Sequence, residues 1–354
     1  MDSRVLKFIV AATLFVGLFA LSPAAAQTGS GFNEHWPWGS IAEVDERGAA
    51  IGAVKAAFDL EDFGKLDALE TEFGGDRGFT TSGSSKLPLY YEELAYLIGG
   101  PPHPEKCNTG QSEFLDRWRK SSPRAPAPII LSAKLLIYRA WCFRGSDRAG
   151  SVPQDAWQPF HENLNAAASV LEKYKALASL DPEYYSVLEV IYVGQSRSRS
   201  EFKQVTDEGS ARYPYYHDIY YSAVDYYKPR WFGRPGDVDA LASYAIEKTK
   251  GRDGTGGYFR VYWDLALCKC LDDLETIDWP TMQTAMTDLS VRYPTDWTYL
   301  HLVQLSCLRG QASEAKKYFS KMTINQAGSW SRDDWIQCRA LVGAPQEPIP
   351  DVMN

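Results

Sequence analysis

Aromatic side chains are the densest feature of this sequence that could do chemistry. The stretch 213–232 contains Tyr213, Tyr215, Tyr216, Tyr220, Tyr221, Tyr226, Tyr227, Trp231 and Phe232. Rings at helical spacing usually pack a core, and packing is the interpretation that we favour for most of them. The sharper interpretation is a surface that presents tyrosine and tryptophan rings to a peptide or a glycan.

Two arginines with nearby tryptophans extend this aromatic feature. We predict that five residues converge into one site: Arg230, Trp231, Tyr258, Arg260 and Trp263. Arg260 and Trp263 are three apart and share a helical face, and a short segment returns the Arg230 corner to the glycine-rich turn before Tyr258. The cluster would be either the rim of a binding pocket or a packed cluster with a purely structural role. In the structural case, each guanidinium stacks on a ring or bonds helix-end carbonyls.

A catalytic alternative uses two acidic residues of the same segment. Asp218 and Asp225 are seven residues apart on one helical face, which is about 10 Å along a helix axis. Inverting glycosidases hold their carboxyl groups about 6.5 to 9.5 Å apart, so the spacing permits glycan cleavage. Asp264, beside Trp263, is a weaker candidate. Charged residues along one face of a helix usually mark the side that faces solvent. We therefore predict no catalytic residue.

Other chemical signatures are missing from the sequence. It has no phosphate-binding Gly-x4-Gly-Lys-Ser/Thr motif, no Gly-x-Ser-x-Gly motif and no His-Glu-x-x-His motif. The glycines between 251 and 257 follow no strand and therefore do not predict a dinucleotide site. The histidines lack the spacing of metal ligands, and we predict neither a metal nor a cofactor. They are His35, His103, His161, His217 and His301.

The first 26 residues have the pattern of a secretory signal peptide. Arg4 and Lys7 precede an apolar run from Phe8 to Leu21, which leads to small residues ending at Ala26. The run has 14 residues, and crossing a membrane takes about 20. We therefore predict cleavage after Ala26, no stable membrane insertion afterwards, and a periplasmic or secreted protein.

Export places the cysteines in an oxidising compartment, where disulfides are the default expectation. The six are Cys107, Cys142, Cys268, Cys270, Cys307 and Cys338. Cys268 and Cys270 are too close for a zinc-binding pair and point to opposite sides of a predicted helix, so they do not bond each other. Cys268 and Cys270 are each an alternative disulfide partner for Cys307.

The pairing that we favour is Cys307 with Cys338. Both lie near the C-terminal ends of predicted helices, with one antiparallel helix between them. In a stack of hairpins, such next-but-one helices are parallel, and their ends lie at the same height. Cys107 with Cys142 is the second choice, because one helix and a short loop separate them.

Apolar residues recur at intervals of three and four along the chain, and this periodicity predicts an all-α protein. Predicted helices cover 47–58, 60–73, 87–98, 111–121, 127–144, 154–176, 182–194, 199–211, 215–228, 237–250, 257–274, 280–292, 296–309, 312–322 and 331–341. The glycines and prolines of 99–110 predict a loop. Asp181 and Asp278, each close before a proline, predict capped helix starts.

An internal repeat predicts a solenoid-like stack of antiparallel helical hairpins. Tyr213-Pro214 recurs as Tyr293-Pro294, 80 residues later, and Asp181-Pro182 begins a third variant. The last hairpin is tetratricopeptide-like, with a glycine at its turn and Ala315 and Phe319 on its second helix. The predicted organisation is a signal peptide (1–26), a flexible leader (27–40), one solenoid-like domain (41–345) and a C-terminal tail (346–354).

Several short motifs carry a resemblance to a known family. They are Tyr213–Tyr216, Lys228–Gly233, Gly257–Trp263 and Arg292–Trp297, together with Cys307 and Cys338. With earlier landmarks around Phe63, Trp141 and Trp157, they resemble the bacterial domain-of-unknown-function family 4034 over nearly all of the mature chain. Residues 74–86 depart from its pattern. The resemblance implies an α-helical fold and supplies no catalytic residue, because the family has no established activity.

Composition narrows the class of partner. The chain is 45% hydrophobic, which excludes a disordered protein, and its net charge of −8 argues against nucleic acid or an anionic membrane surface. We predict an exported binding or scaffold module that recognises a protein or peptide partner, with a glycan as the other candidate, through an aromatic-rich surface. The alternative is a cell-envelope glycan hydrolase or lyase, which would need paired carboxylates of perturbed pKa in a deep aromatic cleft.

Overall fold

The computed structural model describes residues 42–99, 107, 112–145, 147, 149–267, 274–323, 330 and 332–345. The predicted signal peptide (1–26), leader (27–40) and tail (346–354) lie outside the described residues, as do Cys268 and Cys270. No helix among the described residues is long and apolar enough to cross a membrane.

The described chain is all-α, as predicted. Its helices are α1 (Ala42–Asp59), α2 (Phe63–Gly74), α3 (Leu87–Gly99), α4 (Ser112–Ser121), α5 (Ala127–Arg144), α6 (Trp157–Lys173), α7 (Lys175–Ala178), α8 (Glu183–Gly194), α9 (Arg199–Arg212), α10 (Asp218–Tyr227), α11 (Asp237–Asp253), α12 (Gly257–Leu267), α13 (Trp279–Arg292), α14 (Asp296–Leu308), α15 (Ala312–Phe319) and α16 (Arg332–Val342). Two 3₁₀ turns, Ala149–Ser151 and Gln154–Ala156, lie before α6. Within these ranges the only β-type pairing is a single bridge between Phe79 and Ser85.

Local chemistry explains where several helices begin. The Asp278 carboxylate accepts a hydrogen bond from the backbone N–H of Thr281 at 3.2 Å, which caps α13 as predicted. Asp181 likewise accepts from the N–H of Glu183 at 2.7 Å at the start of α8. Some boundaries differ: α1 begins at Ala42, five residues before its predicted start at 47. The helix predicted for 154–176 divides into a 3₁₀ turn, α6 and α7, because Tyr174 leaves the helical conformation (φ −111°, ψ 19°).

The chain divides into two compact units. Among the described residues, unit 1 comprises Ala49–Phe79 and Ser85–Arg234, and unit 2 comprises 42–48, Thr80–Ser84 and 235–345. The prediction of one solenoid-like domain over 41–345 concerns the relation of these units and stays a prediction.

Unit 1 is built around α5. This helix packs against α3, α4, α6 and α8, and α8 in turn packs against α9 and α10. Large side chains fill the interior, among them Trp118, Tyr90 and Phe160. The aromatic stretch contributes Tyr216, Tyr220, Tyr221, Tyr226 and Tyr227, all buried. The packing interpretation of these tyrosines is therefore confirmed.

Unit 2 is built around α12. It packs against α11, α13 and α14, and α14 packs against α15 and α16. Phe259, Val261 and Tyr262 of α12 are buried. Gly257 allows α12 to begin close to α11, because a Cβ at this position would lie 2.5 Å from the Thr249 hydroxyl oxygen.

Two disulfides join the predicted cysteine pairs. Cys307 of α14 bonds Cys338 of α16, with their Cα atoms 5.3 Å apart. Cys107 bonds Cys142 of α5, with a Cα separation of 5.6 Å. Both pairings are confirmed. The contact between α14 and α16 is the next-but-one neighbour relation on which the first prediction depended.

Candidate functional site

The five residues predicted to converge are divided between the two units. Arg230 and Trp231 belong to unit 1, where Arg230 is exposed and Trp231 is partly exposed. Tyr258, Arg260 and Trp263 belong to unit 2 and are buried, with 1%, 3% and 4% of their surfaces exposed. These three therefore offer no open platform to a partner. Convergence of the two groups depends on the relation of the units and stays a prediction.

In unit 1, Trp231 belongs to a cluster of aromatic rings around the Arg144 guanidinium. The Arg144 Cζ atom lies 5.2 Å from the ring centre of Trp141, 5.4 Å from Trp157, 5.9 Å from Phe160 and 5.8 Å from Trp231. All four distances are within the range of cation–π attraction. We call these five residues the Arg144 cluster.

Helix ends position the Arg144 cluster. Arg144 is the last residue of α5, and its Nη1 donates to the carbonyl oxygens of Gly145 and Asp147, both at 3.1 Å. Gly145 has φ 71°, a conformation that glycine adopts without strain. Trp157 and Phe160 are three apart at the start of α6, so their rings face the same side.

A tight corner after α10 supplies the remaining ring. The backbone N–H groups of Trp231 and Gly233 both donate to the Lys228 carbonyl oxygen, at 2.9 and 3.1 Å. A Cβ at position 233 would overlap the Tyr227 carbonyl oxygen, so the corner requires glycine. The corner holds the Trp231 ring edge-on to Trp141, with centres 5.9 Å apart.

The cluster is electropositive. Burial lowers the pKa of Arg144, and the neighbouring positive charge of Arg230 lowers this pKa further, while Asp147 acts in the opposite direction. The outer side carries partly exposed Trp157 and exposed His161, whose rings stack 5.8 Å apart. In the sequence, Trp157 and the segment from Trp141 to Arg144 are only landmarks of the family resemblance, because no short-range pattern indicates that their side chains meet Trp231.

Of the acidic pair proposed for catalysis, Asp218 is partly exposed, whereas Asp225 is engaged with another residue. Only 13% of the Asp225 side chain is exposed, and it forms an ion pair with Lys228, one turn later. Burial raises the pKa of Asp225, and the Lys228 ammonium partly opposes this rise. The carboxylate is therefore engaged in an internal ion pair, and Asp264 is also largely buried.

A different pair of carboxyl groups is strongly perturbed in unit 1. The Tyr91 hydroxyl donates to Asp181 Oδ2 at 2.9 Å and lies 3.3 Å from Glu70 Oε1. Burial raises the pKa of Asp181 to about 7, and burial together with the nearby Asp181 raises the pKa of Glu70 well above its usual value. Two carboxyl groups that are buried side by side each raise the pKa of the other, because two negative charges close together in the core are unfavourable. Both side chains are buried, which favours a structural role.

Next to this pair, Lys134 of α5 forms a buried ionic network. Its Nζ lies 2.6 Å from Glu92 Oε1 and 2.5 Å from Glu183 Oε1. The hydroxyl of Tyr138 donates to Glu92 Oε2 at 2.7 Å, and that of Tyr216 donates to Glu183 Oε2 at 2.5 Å. The network supplies partners for the charged groups that Glu92 of α3, Lys134 of α5 and Glu183 of α8 bring into the core.

Unit 2 contains a small cavity, with room for about one water molecule. It is lined by Ser82, Phe259, Arg260, Trp263, Leu289, Trp297, Thr298 and His301. Arg260 donates from Nε to Asp253 at 3.0 Å and from Nη2 to the Ser82 carbonyl oxygen at 2.9 Å. Arg260 and Trp263 both line this cavity, whereas the Tyr258 hydroxyl bonds the Asp239 carboxylate.

His301 is the titratable residue of this cavity. Its Nδ1 lies 2.6 Å from the Trp297 carbonyl oxygen, which can only accept, so Nδ1 carries the hydrogen. The Trp263 ring lies 3.8 Å from the imidazole and the Trp297 ring 4.7 Å. Burial lowers the pKa of His301 to about 3, and the positive charges of Arg47 and Arg260 add to this effect. The side chain is therefore neutral at physiological pH.

We expect His301 to make unit 2 less stable in acid. Below its ordinary pKa near 6.5, the unfolded histidine takes up a proton, whereas the folded one does not until about pH 3. The free energy of unfolding then falls with decreasing pH, by up to about 1.4 kcal/mol per pH unit from this residue. His301→Gln should remove this contribution in denaturant titrations between pH 7 and about 4. His161→Gln, at an exposed site of unit 1, is the control; equal slopes for wild type and His301→Gln contradict the expectation.

Metal binding has no candidate in the described part of the chain, where no group of three or more His, Cys, Asp or Glu side chains is arranged to hold a metal ion. No protein-family model matches the sequence, and searches of the curated proteins and of the solved structures find no match. The resemblance to family 4034 therefore rests on the motifs given above and stays a prediction.

Proposed function

We propose that this protein is an exported helical module that binds a protein or peptide partner through one aromatic face of unit 1. We call this face the Trp231 face; it comprises Trp157, His161, Arg230 and Trp231. The observation that carries the proposal is the pair of partly exposed tryptophan rings fixed against Arg144, with exposed Arg230 close by. Tryptophan and arginine are the residue types that contribute most to binding at protein interfaces.

Rigidity supports this choice of surface. The Trp231 ring is fixed by the glycine corner and by Trp141, and the Trp157 ring packs on Phe160, 5.9 Å between centres. A ring that is already ordered loses little conformational entropy when a partner covers it. The glycan hydrolase alternative has less support, because Asp225 is held in a buried ion pair.

We also propose that the chain is exported, belongs to the family that it resembles, and stacks its helices as antiparallel hairpins. The disulfides support export, since they persist in oxidising compartments. Packing between the chain neighbours α5 and α6, α11 and α12, and α14 and α15 supports the hairpins. N-terminal sequencing of the exported chain, expected to begin at Gln27, tests the export; a crystal structure tests the stack.

Site-specific photo-crosslinking tests the binding function. We expect a benzophenone side chain at position 231 to capture a defined partner in the periplasm, and the same group at position 96 to capture none. Tyr96 is a suitable control because it is an exposed ring of unit 1.

The captured partner is then titrated with purified variants. Trp231→Ala should weaken binding about 30-fold, as expected for an interface hot spot worth about 2 kcal/mol. Tyr96→Ala should leave the affinity unchanged, and circular dichroism shows whether Trp231→Ala remains folded. A folded Trp231→Ala variant with wild-type affinity would refute the proposal.

A further inference from the structure

The Arg144 guanidinium is a nearly buried charge without a carboxylate partner among the described residues. Only 7% of the residue is exposed. Its hydrogen bonds within the described chain are the two from Nη1 to the carbonyl oxygens of Gly145 and Asp147. Nε and Nη2 have no acceptor there. Neither atom is among the fully buried polar atoms, so water reaches an edge of the guanidinium that no acceptor of the described chain occupies.

The groups around Arg144 offset its positive charge only in part. The C-terminal end of α5 carries partial negative charge, and the four rings present electron-rich faces, so both favour a cation. Arg230, however, brings a second positive charge close enough to lower the pKa of Arg144. Two guanidinium groups, Arg144 and Arg230, thus lie close enough to repel each other in a protein whose net charge is −8. An anion at this point would offset that repulsion.

Another arginine of unit 1 indicates which anion fits. Arg117 donates from Nε to Glu61 Oε2 at 3.0 Å and from Nη2 to Glu61 Oε1 at 2.6 Å. The Nε–Nη2 edge thus binds the two oxygens of one carboxylate in parallel. On Arg144 the same edge has no acceptor in the described chain, because both carbonyl oxygens are bound by Nη1.

We propose that the Nε–Nη2 edge of Arg144 binds a carboxylate of the peptide partner, with the Trp157 and Trp231 rings beside the guanidinium and Arg230 adding positive charge. This inference rests on the proposed function, since it names the chemical group that the Trp231 face recognises. The carboxylate comes either from an Asp or Glu side chain or from a peptide C-terminus. Both sources present the same two oxygens.

Arginine side-chain NMR of the folded mature chain tests the site without any partner. Sodium acetate is added up to about 100 mM at constant ionic strength. This high concentration is needed because a single bidentate ion pair binds its carboxylate weakly. We expect a saturable shift of the Arg144 Nε–Hε resonance with acetate and none with chloride. The Arg117 resonance is the internal control, because Glu61 already occupies that edge. An Arg144 resonance that does not respond to acetate overturns the inference.

Variants and short peptides sharpen the result. Arg230→Gln, at an exposed position, should weaken acetate binding about three- to tenfold through the loss of one nearby charge; unchanged affinity overturns this role of Arg230. Acetyl-Gly-Glu-Gly-amide and acetyl-Gly-Gly-Gly with a free C-terminus separate the two sources. Binding of either supports the inference and identifies its source, and binding of neither overturns it.

The two proposals fail in distinguishable ways. If position 231 captures a partner but acetate does not bind, the carboxylate inference is wrong and the proposed function stands. If acetate binds Arg144 but nothing is captured at position 231, the anion site exists and the partner-binding function is wrong.

Discussion

Replacing Lys134 with methionine should destabilise unit 1 by about 3 to 5 kcal/mol, the cost of leaving buried charges without their partner. Only 3% of the Lys134 side chain is exposed, and its ammonium forms ion pairs with both Glu92 and Glu183. Burial by itself would lower the pKa of Lys134, but the two carboxylates outweigh burial and raise it well above its usual value. The measurement is the free energy of unfolding from urea titrations at pH 7.

The same substitution at a surface lysine is the matched control. Lys55 also lies on a helix and forms an ion pair with Asp59 at 2.6 Å, but 41% of its side chain is exposed. Lys55→Met should cost less than about 1 kcal/mol, because exposed ion pairs contribute little. Lys134→Met combined with Glu92→Gln and Glu183→Gln should recover part of the loss. Equal effects of Lys55→Met and Lys134→Met would show that the buried network is not needed for stability.

The second large effect concerns the disulfide of unit 2. Changing both Cys307 and Cys338 to serine should lower the stability of unit 2 by about 3 to 4 kcal/mol in the chain-entropy model, because the bond closes a loop spanning 31 residues. Calorimetry should show a melting temperature lower by about 10 °C.

Two comparisons make this result specific. The change of Cys107 and Cys142 to serine alters unit 1 instead, so the transition of unit 2 should keep its temperature in that variant. Peptide mapping of the wild type without reductant should recover Cys307 linked to Cys338. Recovery of Cys307 as an alkylated free thiol, or an unchanged transition in the serine variant, contradicts the expectation.

Local sequence signals predicted the helices well because helix formation depends on neighbours within one or two turns. Apolar spacing located α3, α5 and α9 to within a residue or two, and Asp278 before Pro280 predicted the cap of α13. The division of α6 from α7 was missed, because the backbone of Tyr174 leaves the helical conformation without a glycine or proline at that position.

The candidate site was only partly predictable. Trp231 was identified from its motif, and Arg260 and Trp263 do line one cavity, because residues three apart on a helix share a face. Arg144 was not identified as a site residue. Its ring partners come from α5, α6 and the corner after α10, and no periodicity of the sequence relates these segments.

The sequence by itself determined the all-α class and most helix positions, since these follow from short-range periodicity. It favoured the pairing of Cys307 with Cys338 but left Cys268 and Cys270 as competitors, and the tertiary structure decided for Cys338. Only the tertiary structure decided which charged side chains lie inside. Lys55 and Lys134 are both lysines on helices, yet one remains in solvent and the other joins Glu92 and Glu183 in the core. Burial depends on which helices pack against each residue, and the free energy of a charge depends on those neighbours more than on its own position in the chain.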